Sequence, residues 1–115
     1  MKLDNFGALI KANKLFDHVV NDLRPLKTEF ACKRLVEQQF ASADSIAANI
    51  EEGYGRGSRK DYRHFLIISR GSAQETKGRY GRLKHWLKQE DIEARQKLCD
   101  EIIAILSKTI NTLGQ

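Results

Sequence analysis

Apolar residues recur at steps of three and four along nearly the whole chain, and this spacing leaves little room for any structure except the α-helix. The clearest stripe lies near the C-terminal end and contains Ile92, Cys99, Ile102 and Leu106. No segment shows the sustained alternation of apolar and polar residues that is typical of a half-buried strand. The sequence therefore predicts an all-α protein.

The periodic segments predict four helices, over about residues 5–23, 29–52, 59–88 and 92–113. Pro25 disfavours helical backbone at Arg24 and so separates the first two segments, while Asp91 is a suitable N-cap for the fourth. A length of 115 residues predicts one domain, residues 1–115. Because the links are short, we expect an antiparallel up-down four-helix bundle.

The stretch "NIEEGYGRGSRKDY", residues 49–62, could be a phosphate-binding loop or only the joint between two helices. It lacks the glycine spacing and the preceding strand of the known phosphate loops. Gly53 is expected just past the end of the second helix, in a left-handed conformation, and Ser58 with Asp61 forms a capping box for the third. The sequence thus favours a structural joint.

The segments "SIAANIEEGYGRGSRKDYRHFL" and "GSAQE" resemble a known family signature. The signature, S-I-P-x-N-I-A-E-G-x-G-R-x-S…F-L…G-S-x-x-E, is that of the four-helix-bundle family named for 23S rRNA intervening-sequence proteins. Ala47 replaces the usual proline and Glu51 the usual alanine, and neither change conflicts with a helix. The resemblance implies a small all-α protein that assembles into a cyclic homo-oligomer, typically a pentamer.

The same family is similar to the accessory variability proteins of diversity-generating retroelements, which are basic pentameric barrels. That similarity implies two kinds of partner for this chain, nucleic acid and a reverse transcriptase. An adaptor for a reverse transcriptase, in which the basic residues meet carboxylates of a protein, is therefore the alternative to nucleic-acid binding.

Positive charge is concentrated in the third predicted helix and its flanks. Between residues 56 and 88 only Asp61 and Glu75 are acidic. The basic residues of this segment are Arg56, Arg59, Lys60, Arg63, Arg70, Lys77, Arg79, Arg82, Lys84 and Lys88. We expect them to bind the backbone of nucleic acid, RNA in particular, through contacts that release counterions and carry little sequence information. A solvated face that only aids solubility is the other interpretation.

The apolar stripe of the third helix is unusually polar in its middle, where it contains Ser69, Ser72, Thr76 and Arg79. Other polar residues recur at steps of three and four in the second and third helices, and such groups need hydrogen-bond partners if they are buried, so we predict a polar network between these helices. Its expected members are Ser45, Asn49, Glu52, Ser72 and Glu75. Arg79 is also a candidate to pair with a carboxylate at a subunit interface.

Nothing in the sequence predicts catalysis, a metal or a cofactor. Glu52 and Glu75 have no recognisable nucleophile beside them, and only Asp61-x-x-His64 approaches the Glu-x-x-His pattern of di-metal bundles. Cys32 and Cys99 lie at apolar helical positions, which favours core thiols. No signal peptide or membrane span is recognisable, so a cytoplasmic binding protein without enzymatic activity is expected.

The first and fourth helices carry more apolar residues than one narrow stripe requires. The additional residues are Phe6, Ile10, Leu15, Val20, Leu98, Ile103, Ile105 and Ile110. Single bundles rarely expose large apolar patches, so part of this surface is expected to be covered by another subunit of the homo-oligomer.

Overall fold

The computed structural model describes residues 2–115 as four α-helices joined by short connections, and that part of the chain contains no strand. The helices are α1 (Gly7–Leu23), α2 (Lys33–Gly55), α3 (Arg59–Arg82) and α4 (Gln89–Leu113). Short 3-10 turns lie at Leu3–Asn5, Arg24–Leu26, Phe30–Cys32 and Leu83–His85. The helices pack into a bundle of 45 × 22 × 20 Å. The all-α prediction is confirmed.

Helix α1 begins at Gly7 and not at residue 5, because Asn5 belongs to a 3-10 turn and Phe6 has extended backbone. The side chain of Phe6 is buried, so the extended residue serves to place an aromatic ring in the core. The helix ends at Leu23 as predicted. Pro25 lies at the start of the 3-10 turn that follows, where its missing N–H costs little.

Helix α2 is shifted toward the C-terminus relative to the predicted range 29–52. Residues 30–32 form a 3-10 turn first, and the α-helix continues to Gly55. The prediction that Gly53 ends this helix in a left-handed conformation is wrong, because Gly53 is helical and buried. The residue with positive φ is Gly57, at 79°.

Gly53 is required by the close approach of α3 and not by a turn. A Cβ atom at this position would lie 2.7 Å from Cβ of Phe65 and 3.2 Å from both Cδ1 and the carbonyl oxygen of Tyr62. Real Cβ atoms essentially never show the shorter distance, so only glycine fits without moving the helices apart.

Helix α3 begins as predicted. The Oγ of Ser58 accepts a hydrogen bond from the backbone N–H of Asp61 at 3.0 Å, as in a capping box. The predicted end at residue 88 is too late, because the α-helix stops at Arg82. Leu83, Trp86 and Leu87 have the apolar spacing of an α-helix. The chain instead forms a 3-10 turn at residues 83–85, in which Leu83 is completely buried.

Helix α4 begins at Gln89, earlier than the predicted residue 92, and Lys88 is its N-cap. The prediction that Asp91 is the N-cap is wrong. Asp91 lies in the first turn beside Glu90, where a negative charge interacts favourably with the helix dipole without capping a backbone N–H.

The core lies along the bundle axis, and each helix packs against two others: α2 and α4 both contact α1 and α3. Cys32 and Cys99 are buried, as predicted. One partly buried polar cluster joins three helices. Tyr80 donates a hydrogen bond to Asp22 Oδ2 at 2.8 Å, and Arg95 donates to both carboxylate oxygens of Asp22 at 2.9 and 3.1 Å.

The bundle itself buries half of the surplus apolar residues of α1 and α4, namely Phe6, Leu15, Leu98 and Ile110. Val20, Ile103 and Ile105 are partly buried, and Ile10 is 55% exposed. Less apolar surface is therefore left for a second subunit on these two helices than the sequence pattern indicates.

Candidate nucleic-acid interface

Four of the cationic side chains form a row on the side of α3 that faces α4. Arg59 donates to the carbonyls of Thr112 and Leu113 at 2.7 and 3.0 Å, and Arg63 donates to the carbonyl of Ile110 at 3.1 Å. Further along, Arg70 donates to Ser107 Oγ at 3.2 Å and Lys77 pairs with Asp100 at 2.7 Å. We call Arg59, Arg63, Arg70 and Lys77 the α3–α4 row.

The row follows from the helix geometry, because its members are separated by four, seven and seven residues and therefore share one face. Arg59 and Arg63 bind carbonyls in the last turn of α4. Two of these carbonyls, those of Ile110 and Thr112, also accept a hydrogen bond from a backbone N–H just beyond the helix. Positive charge at that position also interacts favourably with the helix dipole. Both arginines thus stabilise the end of α4 while their charge stays at the surface of the bundle.

Four other cations of the segment are exposed, and we call them the exposed cations. These are Lys60, Arg82, Lys84 and Lys88. None of them has an ion-pair or hydrogen-bond partner among residues 2–115. Lys60 lies near the start of α3, whereas the other three lie at its end and in the connection to α4. They extend the positive surface beyond both ends of the α3–α4 row.

Arg56 lies next to the start of α3 and is engaged on two sides. Its Nε donates to Glu52 at 2.8 Å, and its guanidinium lies 5.1 Å from the centroid of the Phe65 ring. The hydrogen bond and the charge of Glu52 raise the pKa of the Arg56 guanidinium. This pair is exposed, so the charge of Glu52 is screened by water.

Most of the positive charge in this segment is not neutralised by other side chains of residues 2–115. Of the ten basic residues, three have a carboxylate oxygen within 4.0 Å: Arg56, Lys77 and Arg79. The row members Arg59, Arg63 and Arg70 bind neutral carbonyl or hydroxyl oxygens, which leave their charge in place. A polyanion can therefore interact with seven uncompensated cations on and around α3.

A hollow of about 450 Å³ lies at the end of the bundle where α2 meets α3. Its lining includes Tyr54, Ser58, Arg59 and Tyr62. The two tyrosine rings pack edge to face with centroids 6.0 Å apart, and Tyr54 is 44% exposed. Burial raises the pKa of the Tyr62 hydroxyl. The hollow places an accessible aromatic ring beside the first arginine of the α3–α4 row.

Arg79 does not belong to this surface. It is 7% exposed, and its Nη1 donates to Gln39 Oε1 at 2.9 Å and Ser42 Oγ at 2.8 Å, in the contact between α2 and α3. Burial lowers the pKa of the Arg79 guanidinium, and the nearby Arg82 adds to this effect.

The polar network between α2 and α3 contains three of the five residues that the sequence pattern suggests. Ser72 donates to Ser45 Oγ at 2.9 Å, and Asn49 donates to the same oxygen at 2.8 Å. Glu52 and Glu75 are exposed and lie outside these hydrogen bonds, with Glu52 paired to Arg56 instead.

The larger part of the network is formed by residues that the sequence prediction omits. Gln39 donates to the carbonyl of Thr76 at 2.9 Å, Ser42 and Thr76 share a hydrogen bond of 2.8 Å, and Ser69 donates to the carbonyl of Ile46 at 2.8 Å. The available signal is the position of these polar residues on the apolar stripes of α2 and α3. A polar side chain on such a stripe is therefore a useful indicator of burial.

Within residues 2–115, no group of three or more His, Cys, Asp and Glu side chains is placed to hold a metal ion. The same residues include no helix that combines the length and apolar character needed to cross a membrane.

The sequence model of the 23S rRNA-intervening sequence protein family matches residues 5–108. Among solved structures, the chain is similar to a protein of unknown function from the S23 ribosomal protein family of Bacteroides thetaiotaomicron. The two share 27% sequence identity and superpose with a TM-score of 0.82, over 90% of this chain and 97% of the other. No curated protein matches the sequence.

Proposed function

Because the chain belongs to the 23S rRNA-intervening sequence protein family, we propose that it is a non-enzymatic protein that binds nucleic acid, RNA in particular, through backbone contacts on the α3–α4 side. The observation that carries this proposal is the uncompensated charge of α3 and its flanks. The α3–α4 row spans about 27 Å at 1.5 Å per residue. Several successive phosphates of a single strand fit along that length.

Recognition of the nucleic-acid backbone follows from the Lys and Arg side chains of this surface. Lys and Arg contacts to phosphates release counterions and supply affinity without reading the base sequence. The exposed ring of Tyr54, next to Arg59, adds a face on which an unpaired base can stack. A platform of this kind favours single-stranded or looped RNA over a regular duplex.

We further propose that the helices run antiparallel, up and down, and that the protein is a cyclic homo-oligomer of five copies. The contact of Arg59 at the start of α3 with carbonyls at the end of α4 supports the antiparallel order. Ile10, Phe30, Ile67 and Ile68 are large apolar residues at least 36% exposed, and they supply surface for contacts between subunits. The number five is what the family resemblance implies. A ring would repeat the basic surface and increase affinity through avidity.

Fluorescence polarisation with a labelled single-stranded RNA, over a series of salt concentrations, tests the binding. The variant K60Q/R82Q/K84Q/K88Q removes the exposed cations without touching a hydrogen bond of the fold. A matched control, K2Q/K14Q/K33Q/R34Q, removes the same four charges from exposed positions outside this segment. Affinity of the first variant should fall more, and the slope of log affinity against log salt should become shallower by up to about 3.

Equal losses in the two variants would show that net charge, and not this surface, determines binding. Absence of binding by the parent protein at low salt would exclude the nucleic-acid function and leave the protein-adaptor alternative. Light scattering tests the assembly separately: a mass of 13.1 kDa, that of one chain, would contradict the homo-oligomer.

A further inference from the structure

A shallow groove of about 280 Å³ runs along the outside of the contact between α2 and α3. Ser42, Ser45, Ser72, Glu75 and Arg79 are among its lining residues. The groove is distinct from the basic surface, which lies where α3 meets α4.

One edge of the Arg79 guanidinium is saturated and the other is not. Nη1 donates to three oxygens, those of Gln39 Oε1, Ser42 Oγ and the Gln38 carbonyl, at 2.9, 2.8 and 3.3 Å. Nε is enclosed and has no hydrogen-bond partner in the described chain. The nearest carboxylate oxygen to Nη2 is Glu75 Oε2 at 3.9 Å, which is too far for a hydrogen bond.

Glu75 compensates the positive charge of Arg79 poorly. Its side chain is 64% exposed, whereas that of Arg79 is 8% exposed, so the carboxylate is solvated and the guanidinium is not. A buried cation without a well-placed counter-ion is costly to the folded state. The chain therefore keeps a guanidinium edge that lacks an acceptor.

Ser45 supplies a second donor without an acceptor in the same groove. Its Oγ accepts from Asn49 Nδ2 and from Ser72 Oγ, and its own hydroxyl hydrogen has no acceptor among residues 2–115. Beside the solvated carboxylate of Glu75, the groove thus contains unsatisfied donors of two residues, Arg79 and Ser45, which belong to different helices. An acceptor that enters from outside can satisfy both.

We infer that the α2–α3 groove is a binding site for a carboxylate, which accepts hydrogen bonds from Nη2 of Arg79 and from the hydroxyl of Ser45. A carboxylate forms a charge-assisted hydrogen bond with Nη2, and pairing with Arg79 supplies the missing counter-charge. The carboxylate can belong to a small free acid or to an acidic side chain of a second copy of the chain. Neither source requires nucleic acid, so this site is independent of the function proposed above.

Acetate is the probe for the test, with the uniformly ¹⁵N-labelled full chain. We expect the Nε–H resonance of Arg79 and the amide resonance of Ser45 to shift saturably with sodium acetate and not with sodium chloride at equal ionic strength. S45A should weaken acetate binding severalfold. E75Q removes a competing negative charge about 4 Å from Nη2 and should tighten it about fivefold. E52Q, which removes an exposed carboxylate of α2 outside the groove, is the matched control and should change nothing.

A dilution series without acetate distinguishes the two sources. If the Arg79 resonance shifts with protein concentration, the carboxylate comes from a second copy; if only acetate moves it, the ligand is a free acid. The inference is overturned if neither acetate nor protein concentration moves the resonance, or if chloride has the same effect. Weaker acetate binding by E75Q would also overturn it, because Glu75 would then be part of the site and not a competitor.

Discussion

Substitution of Gly53 by alanine tests the closest contact between α2 and α3. In an ordinary helix interior, alanine stabilises by about 1 kcal/mol relative to glycine. At this position the new methyl group would lie 2.7 Å from Phe65 Cβ, and a carbonyl oxygen 3.2 Å away prevents it from moving aside. Ordinary contact begins at about 3.4 Å, so the two helices must separate by several tenths of an ångström or more.

Overpacking of this kind costs about 1–3 kcal/mol, which exceeds the gain in helix propensity near the end of α2. We therefore expect G53A to lower the free energy of unfolding by about 1–2 kcal/mol. Urea denaturation followed by circular dichroism at 222 nm measures this change. The slope of the free energy with urea should stay the same, because the surface exposed on unfolding is unchanged.

Gly71 provides the matched control within the bundle. It is exposed in the interior of α3, and a Cβ atom at this position would meet no heavy atom of a neighbouring element within 4 Å. G71A should therefore stabilise the protein by about 0.5–1 kcal/mol. If G53A is as stable as the parent protein or more so, the argument that a close helix contact requires glycine at this position is refuted.

Two further changes probe the buried polar groups of the core. D22N should lower the free energy of unfolding by about 2–4 kcal/mol in urea, because it leaves Arg95 without its counter-ion, and N21D on the same helix should have little effect. Burial raises the pKa of Cys99 to about 12, and burial with the hydrogen bond to Asp22 raises the pKa of Tyr80. Both groups are protonated in the fold, so the stability they contribute is intact at lower pH. The contribution of Cys99 is lost as the pH rises from 9 toward 12, and that of Tyr80 is lost above pH 10, by about 1.4 kcal/mol per pH unit for each group. C99A and Y80F should flatten the dependence of thermal stability on pH in this range, and an unchanged curve would contradict the assignment.

The periodicity of the sequence is sufficient to predict four helices, because apolar side chains at steps of three and four have no other way to share a face. The periodicity does not predict where the helices end, because the ends depend on how side chains pack in the bundle. Leu83, Trp86 and Leu87 have helical spacing, but a 3-10 turn serves to bury Leu83. Gly53 resembles a helix terminator, and the neighbour that explains it, Phe65, is twelve residues away in the sequence.

In the candidate sites, too, the sequence predicts some features, whereas others depend on how the helices pack. The concentration of positive charge can be read from composition along the chain, but the acceptors of Arg59 and Arg63 lie at the far end of α4 and depend on the packing of two helices. Ser45 and Ser72 can be assigned to the polar network from the helical spacing of polar residues on α2 and α3. Gln39 and Thr76 complete it from positions where the sequence pattern alone predicts only burial.

The polar layer formed by Gln39, Ser42, Thr76 and Arg79 also determines how α2 and α3 are aligned along their axes. A slide of α3 by one helical turn would move it about 5.4 Å along α2. It would also take Arg79 away from Gln39 and Ser42 and leave a buried cation without acceptors, whose cost is several kcal/mol. This layer makes the shifted alignments high in energy, so that one register of the two helices is selected.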